Sequence, residues 1–278
     1  KSSEIFNLSL VLNEFISLLE TNNIDQILDK FQPIQLEEMD EVSLMKRVDQ
    51  KFTIPFSKLI TMLPKLTKEY QCLEIDKKRL FSYQTEYLDT NDQQMFLLHH
   101  NGRVNRYKIR FRDYIESNLS FLEIKFKNNK SETLKKRIQV DFGSRSIDKV
   151  EKKFISKNSN FKGGQIEPKL ANSFKRVTLV NLLNKERVTI DFKLKFKTKT
   201  ENIDLPELAI IELKKEKSNS KSTIISLLKE NKIRPTNFSK YAIGSVLTSS
   251  DLKYNKFKNK LIYLNKIHPH GNIWNRAV

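Results

Sequence analysis

The residues with the clearest chemical potential are basic side chains that alternate with apolar ones between Arg103 and Lys127. Alternate residues of an extended strand point to opposite faces. The first run therefore carries four cations on one face, namely Arg106, Lys108, Arg110 and Arg112. A turn at Asn118 leads to the second run, and one face of that run carries Glu123, Lys125 and Lys127. A hairpin of the two runs brings like charges together, which destabilises a sheet. We therefore expect an anionic ligand at this face, or water that screens it.

The same alternation of charged and apolar residues recurs along the chain, and several charged faces also carry an acid. These acids are Asp49, Glu123, Asp191 and Glu212. One interpretation is a sheet with one face in the core and one in water, which is common for antiparallel sheets. The other is a closed barrel whose charged faces line a lumen for water, metal and a phosphate chain, while helices cover the apolar faces. The many arginines favour the barrel, because guanidinium groups bind oxyanions through paired hydrogen bonds, and closure leaves no exposed strand edges.

Charge and composition limit the function classes. The chain of 278 residues has 51 Lys and Arg against 33 Asp and Glu, a net charge of +18, which predicts attraction to nucleic acid, anionic lipid or phosphate-rich small molecules. Nucleic acid is not expected, because the cations alternate with acids along the strands. The single cysteine, Cys72, excludes an internal disulfide and fits a reducing compartment. No apolar run approaches the ~20 residues that span a bilayer, so no transmembrane segment is expected.

Hydrophobic periodicity predicts the elements that position these residues. Helices are expected in two amphipathic segments within 5–31 and over 57–66, 146–157, 221–231 and 239–249, with a short helix or turn over 92–99. Strands are expected over 47–54, 80–87, 103–114, 120–127, 133–140, 174–180, 187–194 and 208–214. Ser57 and Ser146 are the expected helix caps, and Asn101-Gly102 and Asn184 mark expected hairpin turns.

Nine segments, taken in order, resemble the VTC-type polyphosphate polymerase domain, and the preceding L-E-E-M-D resembles its bacterial members. They are R-V-D-Q-K-F, S-Y-Q-T-E-Y-L-D-T, N-R-Y-K-I-R-F-R-D-Y, F-L-E-I-K-F-K, K-K-R-I, F-K-R-V-T-L, R-V-T-I-D-F, I-E-L-K and F-S-K-Y. The resemblance runs from about Leu36 to about Val246. That domain belongs to the triphosphate tunnel metalloenzymes, the CYTH-like group. The order of the motifs makes the resemblance specific, although no single motif does.

The resemblance implies an α+β fold in which about eight antiparallel strands close into a barrel with a charged lumen, surrounded by helices. It also implies transfer of the ATP γ-phosphate to a growing polyphosphate chain, with Mn²⁺ or Mg²⁺ as cofactor and Glu212 as the metal ligand. The implied catalytic residues are Lys51, Arg110, Arg112, Lys125, Arg187 and Glu212. The residues implied to bind phosphate are Lys51, Arg110, Arg112, Lys125, Lys135, Arg137, Arg176, Arg187, Lys214, Ser239 and Lys240.

Two departures from the family pattern bear on the reaction. The wider superfamily has E-x-E-x-K on its first strand, whereas Arg47 and Asp49 occupy the acidic positions here. Fewer acids for metal disfavour a two-metal hydrolase. Phe174 replaces the tyrosine expected before Arg176, which removes a hydroxyl that could contact phosphate. A triphosphatase with water as acceptor and a non-catalytic polyphosphate-binding subunit remain alternatives. Retention of Glu212 and Lys214 favours an enzyme over a binding subunit.

The expected organisation is an N-terminal helical extension over 1–33, a tunnel-barrel domain over 34–250 and a basic C-terminal helix or tail over 251–278. ATP and polyphosphate are the expected ligands. The expected location is cytoplasmic, and the basic tail leaves open a peripheral position at the inner face of the membrane with a membrane-protein partner.

Overall fold

The fold is given by a computed structural model. It describes residues 23–39, 47–130, 132–216, 221–268 and 273–274. The first of the two helices expected within 5–31 lies outside the described residues. Residues 23–28, which belong to the second, form helix α1.

The strands and the later helices have the following bounds. The strands are Gln32–Ile34 (β1), Arg47–Pro55 (β2), Gln71–Leu73 (β3), Phe81–Thr90 (β4), Arg106–Tyr114 (β5), Leu119–Lys127 (β6), Thr133–Val140 (β7), Ile166–Asn181 (β8), Glu186–Lys197 (β9), Asn202–Leu205 (β10) and Leu208–Glu216 (β11). The helices are Phe56–Met62 (α2), Gln94–His100 (α3), Lys149–Asn158 (α4), Thr223–Glu230 (α5), Lys240–Leu247 (α6) and Lys258–Ile267 (α7). The α+β class expected from the sequence is confirmed.

The strands form a large sheet with the hydrogen-bonded order β2-β11-β9-β8-β4-β5-β6-β7, and β10 pairs with β9 while β3 pairs with β8 and β1. The expected closed barrel is not supported, because within the described residues no hydrogen-bonded pairing joins the terminal strands β2 and β7. Strand β7 carries three consecutive cations from Lys135 to Arg137. Charged side chains on an edge strand oppose pairing with a further strand, which is a physical reason for β7 to end the sheet instead of closing it.

The chain divides into two compact units, and β8, β9 and β11 contribute to both. The first unit takes the described parts of Lys1–Leu80, Val177–Ile190 and Ile211–Pro235. Its core buries apolar side chains that include Ile24, Ile34, Ile54, Leu59 and Leu66. Arg79 ties the chain around this core, because its Nη1 donates hydrogen bonds to the carbonyl oxygens of Leu28 (2.6 Å) and Phe31 (3.0 Å).

The second unit takes the described parts of Phe81–Arg176, Asp191–Ile210 and Thr236–Val278. In it, β5 pairs with β6 in antiparallel register, with Arg110 opposite Glu123, so the expected hairpin is confirmed. Asn118 in the turn has a φ of 49°, a left-handed conformation that asparagine tolerates. The core of this unit includes Phe96, Ile109, Phe111, Leu122, Phe196 and Tyr241.

Both expected helix caps are corrected by the structure. Helix α2 begins after Pro55 rather than at a Ser57 cap, which is consistent with the ring of proline being tolerated at a helix start. Helix α4 begins after Asp148 rather than Ser146. There the Glu151 carboxylate accepts a hydrogen bond from the Asp148 N–H (3.1 Å), the return contact of a capping box.

The two expected hairpin turns have different outcomes. Strands β8 and β9 are adjacent in the sheet and are joined through Asn184, which confirms the second hairpin. Asn101-Gly102 instead follows α3, where the Gly102 N–H donates to the His99 carbonyl (3.1 Å). The φ of 70° at Gly102 ends that helix, so this turn does not join two strands. The predicted domain limits at 33 and 250 stay predictions.

Candidate active site

Strands β5, β6 and β7 place charged residues in cross-strand rows. The register forms two such rows, Lys108–Lys125–Lys135 and Arg110–Glu123–Arg137. Cross-strand partners share a face of the sheet, so like charges in the first row repel one another. The rows are two residues apart along each strand, roughly 7 Å. The face is therefore dense in positive charge, with one acid in its midst.

Glu123 is fully buried and holds two of these cations. The Nε and Nη2 atoms of Arg110 donate hydrogen bonds to Glu123 Oε2 at 2.8 and 2.6 Å, and the Lys135 ammonium forms an ion pair with Oε1. Burial raises the pKa of the Glu123 carboxyl, but the charges of Arg110, Arg112 and Lys135 outweigh burial and hold this pKa well below its usual value. Glu123 is therefore ionised at physiological pH.

Arg112 and Lys125 lie near the same acid, whose charge only partly offsets the cost of charging them. Arg112 is buried, and its Nε donates to Thr85 Oγ1 at 3.3 Å. Burial, followed by the charge of Arg110, lowers the pKa of Arg112. The charge of Arg110, followed by burial, lowers the pKa of Lys125 well below its ordinary value. Both shifts mean that the charged forms are disfavoured, and an anion bound here would relieve them.

A second acid, Asp191 on β9, repeats this arrangement. Arg176 on β8 donates from Nε and Nη2 to the two Asp191 carboxylate oxygens at 2.6 and 2.8 Å, a bidentate pair. Lys240, the first residue of α6, forms a further ion pair with Asp191. Burial raises the pKa of Asp191, but the charges of Arg176 and Lys240 outweigh it and hold the pKa below its usual value.

Two stacked aromatic rings lie among the cations. The centroids of Tyr83 and Phe174 are 5.2 Å apart and the rings are nearly parallel. The Arg176 guanidinium is 4.8 Å and that of Arg112 is 5.7 Å from the Tyr83 centroid, and the Lys240 Nζ is 4.3 Å from the Phe174 centroid. Such cation–π contacts hold a cation without neutralising it. Phe174 therefore offers a ring face at the position where the family pattern has a tyrosine with its hydroxyl group.

Ser239 connects α6 to strand β5. Its Oγ accepts a hydrogen bond from the Ala242 N–H (3.3 Å), which makes Ser239 the N-cap of α6. The same oxygen accepts from Lys108 Nζ at 3.0 Å. The N-terminal end of a helix carries partial positive charge, which favours anions nearby. Strand β5 and helix α6 thus contribute to the same positively charged region.

In the first unit, Glu212 on β11 lies between two lysines. The Nζ of Lys51 is 3.7 Å from Glu212 Oε2, and the Nζ of Lys214 is 4.0 Å from Oε1. Arg187 lies half-buried on β9 in the same unit. A single carboxylate fits a divalent metal as one oxygen ligand, with phosphate oxygens and water as the others. Among the described residues, no three His, Cys, Asp or Glu side chains group as a ready metal site.

Comparison with known proteins identifies the family. The family model described as the VTC domain matches residues 46–248. The chain belongs to the VTC domain family. No curated protein matches this VTC domain at a significant level.

Several solved structures are similar to this VTC domain. A proposed adenylate cyclase from Bacillus halodurans has 12% identity and a TM-score of 0.45, with 70% of this chain and 94% of that chain covered. A proposed adenylyl cyclase from Hippeastrum, reported to have a dominant triphosphatase activity, has 13% identity and a TM-score of 0.49, with 75% and 99% covered. A conserved hypothetical protein from Pyrococcus furiosus has 13% identity and a TM-score of 0.40, with 69% and 98% covered.

The structure of the VTC domain places the predicted site residues in two groups. The second unit contains Arg110, Arg112, Lys125, Lys135, Arg137, Arg176, Ser239 and Lys240. The first unit contains Lys51, Arg187, Glu212 and Lys214. Arg137 is exposed, and its guanidinium lies 4.3 Å from the Phe121 ring centroid. Its link to the other site residues is its position opposite Glu123 in the cross-strand row. The roles of all these residues in binding and catalysis stay predictions.

Four further residues of the cluster in the second unit are absent from the predicted site: Tyr83, Lys108, Glu123 and Asp191. For Lys108 and Glu123 the signal was available, because the alternation places both on the face of Arg110. For Asp191 the sequence signal was weaker, since its pairing with Arg176 depends on how β8 and β9 align. For Tyr83 there was no sequence signal of a role in the site, because aromatic residues of strands usually pack in the core.

Within the described residues, no helix combines the length and the apolar character needed to cross a bilayer. The cytoplasmic location, the peripheral membrane position and the membrane-protein partner stay predictions.

Proposed function

We propose that this VTC domain is an ATP-dependent polyphosphate polymerase, which transfers the γ-phosphate of ATP to a growing inorganic polyphosphate chain. The observation that carries the proposal is the cation cluster of the second unit, where Lys108, Lys125 and Lys135 form one cross-strand row and the buried Arg112 donates to the neutral Thr85 hydroxyl at 3.3 Å. The basic side chains of this cluster outnumber its two acids, Glu123 and Asp191. Uncompensated charge in a partly buried site is costly, and an anion with several charges compensates it best. Membership of the VTC domain family supports phosphoryl chemistry at this cluster.

Phosphoryl transfer requires mainly positioning and stabilisation of charge. The guanidinium groups of Arg110, Arg112 and Arg176 stay charged at any physiological pH and can bind phosphate oxygens through paired hydrogen bonds. Lys125 and Lys240 add compact charges that can follow the phosphate chain as it moves. In the first unit, Lys51 and Arg187 are proposed to bind phosphate in the same way.

Glu212 is the proposed ligand of Mn²⁺ or Mg²⁺. When bound, the ion supplies charge neutralisation on phosphate oxygens. Lys51 and Lys214 flank the carboxylate at 3.7 and 4.0 Å, so they orient Glu212 and weaken its affinity for a free cation. A metal–nucleotide complex overcomes this, because it brings further oxygen ligands with it.

The proposed reaction needs no general base. An ionised terminal oxygen of the acceptor chain forms a bond to the γ-phosphorus of ATP. The bond between that phosphorus and the β–γ bridging oxygen breaks, and ADP leaves with the electron pair. The nucleophile carries no proton to be removed, so no catalytic Ser–His or Cys–His pair is required.

Incubation with ATP and Mn²⁺, followed by electrophoresis of the products, tests this proposal. Phosphate chains longer than that of ATP support it. Free phosphate as the sole product identifies a triphosphatase, and tight polyphosphate binding without turnover identifies a binding subunit, so either result overturns it. Arg112→Met is expected to lose chain synthesis, whereas Arg234→Met, at an exposed position, is the matched control that keeps it.

A further inference from the structure

Two acids of the second unit hold four of its basic side chains, and no phosphate-binding role requires either acid. Glu123 is paired with Arg110 and Lys135, and Asp191 with Arg176 and Lys240. The relative exposure of Glu123 is 0% and that of Asp191 is 4%. The proposed function assigns three of these four cations, Arg110, Arg176 and Lys240, to the phosphate chain, and Lys135 lies opposite Lys125 in the same cross-strand row.

A buried carboxylate in such a place has two opposing effects. It fixes the cations in one geometry, which reduces the entropy lost when a ligand is bound. It also carries the same sign of charge as the ligand, so a phosphate group must share or displace each cation from its acid. Burial alone would favour protonation of these acids, but the neighbouring cations hold the pKa of each below its usual value. Both effects therefore persist at physiological pH.

We infer that Glu123 and Asp191 are positioning residues, each of which holds two cations in place and competes with a bound phosphate chain for them. The inference rests on the proposed function, because the ligand is the phosphate chain named there. Its consequence is a site that is well ordered yet binds each phosphate group with limited strength. A chain that must advance by one phosphate after each transfer needs such limited strength, because a fully uncompensated cation cluster would trap the product.

Asp191→Asn and Glu123→Gln test this inference, since each removes one negative charge with little change in size. The probe is a fluorescently labelled polyphosphate of defined length, and anisotropy measures its affinity without turnover. We expect each variant to bind the labelled polyphosphate about tenfold more tightly than the wild type at low salt. This is the scale of removing one repulsive charge at short range in a solvated site. Turnover with ATP is expected to fall, because release of the lengthened chain slows. Asp204→Asn, at an exposed acid outside the cluster, is the control expected to change neither quantity.

A purely structural role predicts a different pattern. If the acids only support the fold, both variants bind polyphosphate more weakly or equally, and KM and kcat worsen together. The charge-retaining variant Glu123→Asp separates the two roles further, because restored charge should return the affinity toward that of the wild type. Circular dichroism before each titration verifies that the variants are folded.

The outcomes separate this inference from the proposed function. If the wild-type protein fails to bind polyphosphate, the proposed function itself is wrong. If the wild type binds polyphosphate and synthesises chains, but neither acid variant binds more tightly, the polymerase stands and the competition between acid and phosphate is overturned.

Discussion

Lys125 stands between Lys108 and Lys135 in the cross-strand row of β5, β6 and β7. The charge of Arg110, then burial and the charge of Arg112, lower its pKa well below the ordinary lysine value. In the protein alone, the ammonium form of Lys125 is therefore disfavoured. A phosphate chain brings negative charge to the row and raises this pKa. Binding is thus coupled to protonation at one identified side chain.

We predict that polyphosphate binding takes up protons and that affinity falls as pH rises toward the ordinary lysine pKa of about 10.4. Isothermal titration calorimetry in two buffers with different ionisation enthalpies measures the number of protons taken up. Lys125→Met should remove most of the uptake. Lys153→Met, at an exposed lysine of α4, should leave it unchanged. Wild-type binding with no proton uptake across this pH range would show that Lys125 is not coupled to the ligand.

Glu212 differs from the two buried acids Glu123 and Asp191, because its side chain is 24% exposed and its lysine neighbours lie at 3.7 and 4.0 Å. We predict that Glu212→Gln lowers kcat by roughly 100-fold or more, the scale of losing one charge-stabilising group. Polyphosphate binding and the folded state should be retained, because no core packing is lost. Glu201→Gln, at an exposed loop acid, is the control for activity. Chain synthesis by Glu212→Gln at the wild-type rate would contradict the assignment of the metal ligand.

Among the elements, helix α6 positions the most chemistry for its length. It begins at the Ser239 cap, carries Lys240 in its first turn, and packs against β8 and β9 of the second unit. Gly244 permits this approach, because a Cβ there would lie 2.4 Å from Phe196 Cδ1 and 2.7 Å from Leu170 Cδ2. The small residue therefore sets the position of the helix, and with it the position of the Lys240 ammonium.

We predict that Gly244→Ala destabilises the protein and reduces chain synthesis together. Overpacking costs roughly 1–3 kcal/mol, which outweighs the ~1 kcal/mol that alanine gains over glycine within a helix. Urea unfolding measures the first effect, and turnover with ATP measures the second. Gly164→Ala is the matched control, because a Cβ there meets no atom within 4 Å. A Gly244→Ala protein as stable and active as the wild type would show that α6 can move away without consequence.

The sequence predicted those strands well that alternate in a simple pattern. Strand β7 has the expected bounds, and β5 and β6 form the expected hairpin. Strand β8 begins at Ile166, well before the expected start at 174, because Pro168, Asn172 and Ser173 interrupt the apolar alternation while the pairing with β4 holds the backbone extended. Strands β3 and β10, of three and four residues, are too short to show a period.

The burial of the charged strand residues and the contacts between distant parts of the chain could not be predicted from the sequence. The alternation showed that Arg110 and Arg112 share a face, but a charged face of a strand usually points to water, and both residues are only 7% exposed. The contact of Asp191 with Lys240 joins residues 49 positions apart and depends on the packing of α6. Closure of the sheet likewise depends on the relative placement of distant strands, which no local pattern determines.

At the scale of the whole molecule, the net charge of +18 favours association with polyanions and opposes compaction through self-repulsion. Within the second unit, the lowered pKa values of Arg112 and Lys125 locate part of this repulsion. A ligand that carries several negative charges relieves the repulsion only when bound to the folded protein. Ligand binding and unfolding are therefore thermodynamically linked.

We predict that polyphosphate at 100 times its Kd raises the free energy of unfolding by about 2.7 kcal/mol, a shift of several degrees at roughly 2–4 °C per kcal/mol for a protein of this size. Thermal unfolding followed by fluorescence measures it. Orthophosphate at the same total phosphate concentration should give a smaller shift, because a single phosphate cannot engage cations on several strands at once. Salt at about 1 M, where the Debye length falls to about 3 Å, should remove most of the shift.

Arg112→Met extends the same prediction to a single residue. It removes a buried cation whose pKa is lowered first by burial and then by Arg110, so the protein without ligand should melt at a higher temperature than the wild type. The added stability from polyphosphate should be smaller in the variant, because one of the ligand's partners is lost. Arg234→Met, at an exposed position, should match the wild type in both measurements. A lower melting temperature for Arg112→Met without ligand would contradict this prediction. It would mean that structural contacts of Arg112, such as its hydrogen bond to Thr85, stabilise the fold more than its buried charge destabilises it.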